Sequence, residues 1–383
     1  MKRFPQMTAA LAKSLGYSAE QFLAAFAPAT AADVDAVVRF REKNLSIPIT
    51  WNDASYLRWR YAFAENDSGS NANNKLWILK LDDRILGILG AQHMPISMGE
   101  HEFAAVHPLD ILVDATLGGV GLGAWMQFAL DRQHEGMVLL GATKTAATMV
   151  QRSFHSMPDR QVWKLLLDLA PVLRRHIKFT PLAICLAVVL NPFVAMINRH
   201  RLAPYRNTDI RVEALASFPA AVEKLDASQR GNFFYRHRTA AFLNWKFVEN
   251  PNVDFQRLGF YKGDALLGYV VFRTEKSAFG HKSSALIQDF FWLEDADATG
   301  NPHLPETVLA ATIQHLRQSG ATYLVQITAS GARAQQAVKR LGFFFRDEKL
   351  LFSLSCNAAQ LEPSIYDPGK WFLTEADAHD AIS

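Results

Sequence analysis

The stretch that decides the fold is Leu112–Trp125, which reads LVDATLGGVGLGAW. It predicts the end of an apolar strand, a turn rich in glycine, and the first residues of a helix. Glycine lets the backbone approach an anion closely, and the first N–H groups of a helix point toward such an anion. The stretch therefore predicts a pyrophosphate cradle, formed by Leu112, Val113, Gly118, Gly119, Val120, Gly121, Leu122, Gly123 and Ala124.

Two other interpretations of this turn stay open on the sequence alone. A dinucleotide-binding fingerprint needs a parallel strand–helix–strand unit and an acidic residue after the second strand. Here a hairpin precedes the turn, and the next predicted strand, Met137–Gly141, leads into Ala-Thr-Lys without an acid. The remaining alternative is a tight turn that binds nothing. The pyrophosphate interpretation is favoured over both.

The elements on either side of the turn occur twice in the chain. Tyr56–Tyr61 reads YLRWRY and Phe242–Phe247 reads FLNWKF, which share the pattern aromatic-Leu-x-Trp-basic-aromatic. The two tryptophans are expected to be packing anchors, with ligand stacking as the alternative. Each copy is followed by a predicted hairpin, a third strand, a helix, a fourth strand and another helix. This repeated order predicts an α/β fold with two tandem mixed-sheet domains that arose by internal duplication.

The predicted elements can be given by residue. In the first half the strands are Leu76–Leu81, Ile85–Gly90, Leu109–Val113 and Met137–Gly141, and the helix after the glycine turn is Ala124–Glu135. In the second half the strands are Arg257–Tyr261, Leu266–Phe272, Ala285–Phe291 and Thr322–Ile327, and the matching helix is Pro305–Ser319.

The chain resembles the GNAT superfamily of acyl-CoA acyltransferases. The residues that carry the resemblance are Gly119, Val120, Gly121, Leu122 and Gly123, which match the family's glycine signature, whereas Gly118 replaces its Arg or Gln. Leu341–Phe343, with Lys339 before it, is similar to the family's closing segment. The resemblance covers roughly residues 31–168 and 209–355 by element order.

The resemblance implies acyl transfer from acyl-CoA to an amine or hydroxyl of a small-molecule or glycan-type acceptor. It implies a general base on or near the family's fourth strand, which corresponds here to the predicted strand Leu109–Val113. Asp110 and His107 are the candidates. The family's tyrosine acid has no match here, and His155 is the candidate that replaces it. The alternative is that these groups are merely exposed polar side chains without a catalytic role. No metal-ligand spacing occurs, so no metal is expected.

The expected organisation is an N-terminal segment, a GNAT-like domain, a connector, a second GNAT-like domain and a tail: 1–30, 31–168, 169–208, 209–355 and 356–383. The second domain is expected not to hold CoA, because its loop Glu294–Pro302 is acidic and has one glycine. The late segment Trp371–Thr374 is similar to tandem GNAT proteins linked to bacterial polysaccharide or envelope assembly. Two rival functions stay open: a Fem-like transferase that uses aminoacyl-tRNA, and a non-catalytic binding or scaffold module.

The connector contains an uncharged apolar run, Phe179–Ile197, between basic flanks at 174–178 and 199–201. Its length could span a bilayer, but Asn191, Pro192 and the positive charge on both flanks disfavour a span. An interfacial or re-entrant anchor on anionic lipid through 174–201 is one expectation. A helix pair packed between the domains is the other.

Composition excludes several classes of protein. Of the 383 residues, 49% are hydrophobic and 20% are charged, which describes a globular chain. The net charge of +3 is too small to indicate a nucleic-acid partner. The two cysteines, Cys185 and Cys356, form neither a zinc motif nor a disulfide framework, so a reducing cytoplasm is the expected location.

Overall fold

The computed structural model describes residues 4–45, 53–63, 72–99, 101–119, 121–141, 144–206, 209–277, 282–294, 301–356 and 363–378. The helices of this part of the chain are α1 (Phe4–Leu15), α2 (Ala19–Ala24), α3 (Val34–Asn44), α4 (Ala54–Arg60), α5 (Leu122–Asp131), α6 (Lys144–Ser153), α7 (Ala170–His176), α8 (Thr180–Leu202), α9 (Val222–Gln229), α10 (Ala240–Phe247), α11 (Leu304–Gln318) and α12 (Ala332–Arg340). The strands are β1 (Phe26–Pro28), β2 (Lys75–Leu81), β3 (Arg84–Met98), β4 (His101–Val113), β5 (Gly136–Leu140), β6 (His155–Leu166), β7 (Arg211–Ala214), β8 (Tyr235–Arg236), β9 (Gln256–Lys262), β10 (Ala265–Lys276), β11 (Ser283–Trp292), β12 (Thr322–Thr328) and β13 (Phe344–Cys356).

These strands form one large mixed sheet. Its order is β1-β2-β3-β4-β5-β13-β6-β12-β11-β10-β9-β7, and β8 pairs with β3 outside this path. Two neighbouring pairs in this part of the chain are parallel, β4 with β5 and β11 with β12, and the other ladders are antiparallel. In each parallel pair a helix connects the two strands, α5 in the first and α11 in the second, as parallel strands require.

The last strand of each half lies against the other half. β13 comes from the second half but pairs with β5, with Phe352 opposite Leu140. β6 comes from the first half but pairs with β12, with Trp163 opposite Ile327. β6 and β13 also pair with each other, so the ladder is continuous through the middle of the molecule. The two halves therefore share one sheet, and the domain ranges expected from the sequence stay predictions.

The helices of the first half cover both faces of the sheet. On one face α1, α2 and α5 pack around Trp125, whose indole N–H donates to the Thr8 hydroxyl at 2.9 Å. On the other face α3 and α4 pack on β2, β3 and β4. The N-terminal helices thus contribute to the core that supports the glycine turn.

The apolar connector forms the helical hairpin α7–α8 between β6 and β7. By length and composition α8 could cross a membrane: its most apolar window has a mean hydropathy of 2.1. Only 11% of that window is buried, so the apolar run lies at the surface and is not packed between the two halves.

Candidate functional site

The candidate site is a gap that opens between β4 and β5. These parallel strands pair only at Ala105–Gly136 and Val106–Met137. β4 then continues to Val113 along β3, and β5 continues to Leu140 along β13. The edge of β4 that faces the gap is not part of a ladder with β5 beyond Val106. Backbone amide and carbonyl groups on such an edge can hydrogen-bond an extended ligand, as in strand addition.

A β-bulge lies on the wall of this gap. The register between β3 and β4 passes from Gly90–Leu109 to Ile88–Leu112, so β4 carries one extra residue there. Asp110 in the bulge has φ = 52°, in the left-handed region that few residues other than glycine adopt. Such backbone strain costs about 1 kcal/mol or more and is typical of positions where a bulge redirects a side chain.

The redirected carboxylate of Asp110 lies in a buried polar cluster. Its Oδ2 accepts a hydrogen bond from the Tyr61 hydroxyl at 2.6 Å. The same oxygen lies 3.6 Å from Arg60 Nε and 3.8 Å from Arg41 Nη1. Two guanidinium groups thus lie within 4 Å of one carboxylate, and the Asp110 side chain is 4% exposed. Burial, and then the Asp110 charge, raise the pKa of Tyr61 well above its usual value, so the phenol stays protonated and donates.

Tyr61 and Arg60 were not candidates from the sequence, although both belong to the YLRWRY motif. The basic residues beside Trp59 are the signal that could have indicated a carboxylate partner.

The structure places His107 at the narrow end of the gap and His155 away from it. His107 follows Val106, the last residue that pairs with β5, and its buried Nδ1 lies 2.8 Å from the Val138 carbonyl oxygen. His155 is at the start of β6, opposite Leu354 of β13, which in turn lies opposite Val138 of β5. It is therefore three strands from β4, or about 14 Å. His107 and Asp110 both lie in β4, at the side of the gap, whereas His155 in β6 is too distant to contact it.

The glycine turn follows β4 directly. Gly119 and Gly121 have φ values of 86° and 83°, which glycine adopts without steric penalty. α5 then begins at Leu122, and Gly123 lies against β4, since a Cβ there would be 3.6 Å from Ile111 and from Val113. Leu112 and Val113 end the strand, Ala124 lies in the first turn of α5, and Val120 lies outside the described residues.

Two exposed cations stand beside this turn. Asp114, at the end of β4, accepts hydrogen bonds from Arg84 Nη2 at 2.8 Å and Lys43 Nζ at 3.3 Å. The hydrogen bond from Arg84 is the largest cause that holds the pKa of Asp114 far below its usual value. Two cations against one carboxylate leave positive charge at the mouth of the turn, which suits an anion.

One side of the turn is covered by α1. A Cβ on Gly121 would lie 3.6 Å from Met7 Cε. No group of three His, Cys, Asp or Glu suited to a metal occurs among the residues that the structure describes.

The second half contains a similar gap, and the C-terminal segment fills it. β11 and β12 pair as far as Ile287–Ile327, and a bulge at Gln288 precedes Asp289. The Ala376 N–H donates to the Gln288 carbonyl at 2.8 Å. On the β12 side, the Leu373 N–H donates to the Ser330 hydroxyl at 2.9 Å. Residues 371–378 thus bridge the strands where they diverge.

A buried ion cluster fixes this segment. Arg238 donates to Asp289 at 3.0 Å and to Asp377 at 2.7 Å, and all three side chains are fully buried. Tyr269 also donates to Asp289, at 2.8 Å. Burial raises the pKa of Asp289. Burial also acts to raise the pKa of Asp377, but the Arg238 charge and hydrogen bonds outweigh it and lower that pKa.

The acidic loop that the sequence singled out in the second half, Glu294–Pro302, lies largely outside the described residues, since 295–300 are not among them. The filled gap is a separate obstacle to a ligand in this half. No local pattern indicates this filled gap, because Asp289 and Asp377 lie 88 positions apart in the chain.

Comparison with known proteins agrees with this architecture. No protein-family model matches the chain, and no curated protein matches it. A solved GCN5-related N-acetyltransferase from Anabaena variabilis is similar, with a TM-score of 0.56 and 13% identity over 87% of this chain and 72% of that one. A probable N-acyltransferase of unknown function from Enterococcus faecalis has a TM-score of 0.53 and 8% identity, over 86% and 70% of the two chains. The chain therefore has the mixed α/β fold of the GCN5-related N-acetyltransferases.

Proposed function

We propose that this protein transfers an acyl group from acyl-CoA to an amine or hydroxyl acceptor, at a site in its first half. The observation that carries the proposal is the gap between β4 and β5, which opens directly beside the glycine turn. An extended thioester arm fits an unpaired strand edge, and a pyrophosphate fits a helix N-terminus reached through glycines.

In this proposal the donor is held mainly by backbone groups. The N–H groups of the turn and of the first residues of α5 bind the pyrophosphate, and Lys43 and Arg84 add positive charge. The free edge of β4 orients the arm so that its thioester lies near the bulge at Asp110. This arrangement does not need the Arg or Gln that Gly118 replaces, because backbone amides supply the donors.

The chemistry is a single acyl transfer. The acceptor nitrogen or oxygen attacks the thioester carbonyl carbon, the new C–N or C–O bond forms, and the C–S bond breaks. The acceptor's proton passes to Asp110 or to the departing thiolate. His107 holds the narrow end of the gap through its contact with the Val138 carbonyl. The role of His155 as an acid would require the acceptor to extend across three strands.

The finer assignments belong to the same proposal. The chain is two GNAT-like units, 31–168 and 209–355, that have exchanged their last strands, and only the first holds CoA because the tail fills the gap of the second. The resemblance at Trp371–Thr374 supports a role in envelope or polysaccharide assembly with a glycan-type acceptor. A cytoplasmic protein in peripheral contact with a membrane through 174–201 fits the exposed apolar helix.

A second candidate is a binding module without catalysis. It is favoured by the burial of Asp110 between Arg41 and Arg60, which leaves the carboxylate little access to an acceptor. Two measurements on the full chain separate the candidates. Calorimetry with CoA should give one site per chain, and thiol release from an acyl-CoA panel with amine and hydroxyl acceptors should exceed the rate without protein. Binding without thiol release would favour the module, and absence of binding would refute both.

A further inference from the structure

α8 has the reverse of the usual surface-helix pattern. The residues that face the body are mostly small or polar: Ala183, Ala187, Asn191 and Asn198, at intervals of four or seven residues, with the larger Leu202 at the end of the helix. Most of the large apolar side chains point outward, and Val188 and Met196 are 68% and 62% exposed. A helix on a soluble surface normally buries its apolar stripe and exposes its polar one.

The outward face is long and continuous. It consists of the exposed apolar residues Phe179, Leu182, Ile184, Leu186, Val188, Val189, Leu190, Phe193, Met196 and Ile197. A 23-residue helix is about 35 Å long. An exposed apolar surface of this extent marks a partner or a membrane.

The inward asparagines hold α8 flat against the body. Asn191 accepts from the Leu169 N–H at 2.8 Å and donates to Asp168 at 2.9 Å. Asn198 donates to the Leu166 carbonyl at 2.8 Å. Asp168 is paired in turn with Lys282 at 2.6 Å. A helix fastened at its middle and near its end cannot stand across a bilayer while the body keeps this structure, so the outward face would lie in the plane of a membrane.

The charges around α8 favour an anionic surface. Residues 169–206 contain no Asp or Glu. Basic residues flank both ends, with Arg174, Arg175 and Lys178 before the helix and Arg199 and Arg201 in its last turn. Positive charge at both ends suits a helix whose two ends lie at the same headgroup level.

A basic pocket adjoins the C-terminal end of this helix. Its volume is about 360 Å³, and it is lined by Arg199, Arg206, Gln314, Arg317 and Gln318. Within the described residues, no carboxylate lies within salt-bridge distance of these three arginines, whereas Arg84 and Arg340 each have one and Arg238 has two. A guanidinium group can donate two parallel N–H hydrogen bonds to the oxygens of one phosphate, and the glutamine side-chain amides add further donors.

We propose that the outward face of α8 inserts into the interfacial region of an anionic phospholipid membrane, and that this pocket binds the phosphate of a phospholipid headgroup. The proposal shares with the proposed function only the peripheral contact through 174–201. It does not depend on acyl transfer, so vesicle binding and CoA binding can fail separately.

The test is flotation of the full chain with vesicles. We expect it to float with equimolar phosphatidylcholine–phosphatidylglycerol vesicles and not with phosphatidylcholine alone. The variant R199Q/R206Q/R317Q should bind on the order of a hundredfold more weakly. Each basic residue at an anionic surface contributes about 1 kcal/mol, and three such losses correspond to roughly that factor. The matched control R39Q/R152Q/K224Q removes the same charge from exposed positions elsewhere and should lose much less.

A second variant tests the apolar face. V188Q/F193Q/M196Q keeps helix-compatible side chains at exposed positions and should release the protein from the anionic vesicles at high salt, where the electrostatic share is screened. Equal losses in the pocket variant and its control would refute the headgroup site. Failure of the wild type to float, or a dimer in light scattering that the apolar variant converts to a monomer, would refute the membrane surface. Competition by millimolar inorganic phosphate would point to a free anion and overturn the lipid assignment.

Discussion

Trp59 and Trp245 donate to each other's backbone carbonyl oxygens. The indole N–H of Trp59 donates to the Trp245 carbonyl at 2.9 Å, and that of Trp245 donates to the Trp59 carbonyl at 2.8 Å. Their rings stack with centroids 5.2 Å apart. A reciprocal contact of this kind is what a two-fold arrangement of equivalent residues produces. The two tryptophans occupy the same place in the repeated motif, and their contact packs α4 against α10.

The first prediction concerns this pair. W59F and W245F each remove one indole N–H, keep an aromatic ring, and should lower the free energy of unfolding by about 1 kcal/mol. Because the residues are in contact, the double variant should depart from additivity by about 0.5 kcal/mol or more. Urea unfolding of the four proteins measures this coupling. Strictly additive losses would show that the two hydrogen bonds act independently.

The second prediction concerns the glycine turn. G121E places a negative charge at the proposed pyrophosphate site and should abolish CoA binding in calorimetry. Its φ of 83° also adds backbone strain of roughly 1–2 kcal/mol. G231E is the matched control, since Gly231 has φ = 86° with open space around it and lies far along the chain from the turn. CoA binding that survives in G121E, or is lost equally in G231E, would contradict the assignment.

The third prediction concerns Asp110. D110N should lower turnover at least tenfold without changing CoA affinity, because general-base catalysis contributes factors of this size or larger. Y61F removes one hydrogen bond to the carboxylate but leaves its charge, so it should reduce turnover less. Both variants are checked by thiol release and by CoA calorimetry. Unchanged turnover in D110N would show that the cluster with Arg41 and Arg60 is structural.

Local sequence pattern was enough to place most of the sheet. The predicted strands Leu76–Leu81 and Thr322–Ile327 differ from β2 and β12 by one residue, and the predicted helix Pro305–Ser319 differs from α11 by one at each end. Alternation of apolar residues and turn residues is a local signal, which explains this agreement. The general α/β class and the GNAT resemblance are supported by the fold of the solved structures.

Long-range pairing could not be obtained in that way. β6 and β13 were not predicted, and their exchange joins Trp163 to Phe345, residues 182 positions apart. Nothing in the local pattern specifies which distant edge a strand will choose. The Asp110 cluster also could not be predicted from local pattern, because Tyr61 contacts the Asp110 carboxylate only where the β-bulge in β4 redirects that side chain. The apolar run of α8 was visible in the sequence, but its inward asparagines became evident only from their partners.

The last prediction concerns the segment that fills the second gap. The pKa of Asp377 is lowered in the folded protein, so its ionised form contributes stability above the ordinary Asp pKa of about 4, and this stability is lost as pH falls below that value. D377N leaves Arg238 with one carboxylate partner and should destabilise the protein by about 3 kcal/mol at neutral pH. The variant should also lose less stability than the wild type between neutral and acidic pH.

Asp289, whose pKa is raised, has a pH dependence of the opposite sign. Its contribution to stability falls as pH rises, so it cannot produce the loss of stability in acid. Thermal unfolding across this pH range measures both effects, with D254N, at an exposed position, as the control. If D377N and the wild type lose stability in parallel on acidification, the ion cluster does not hold the C-terminal segment in the gap.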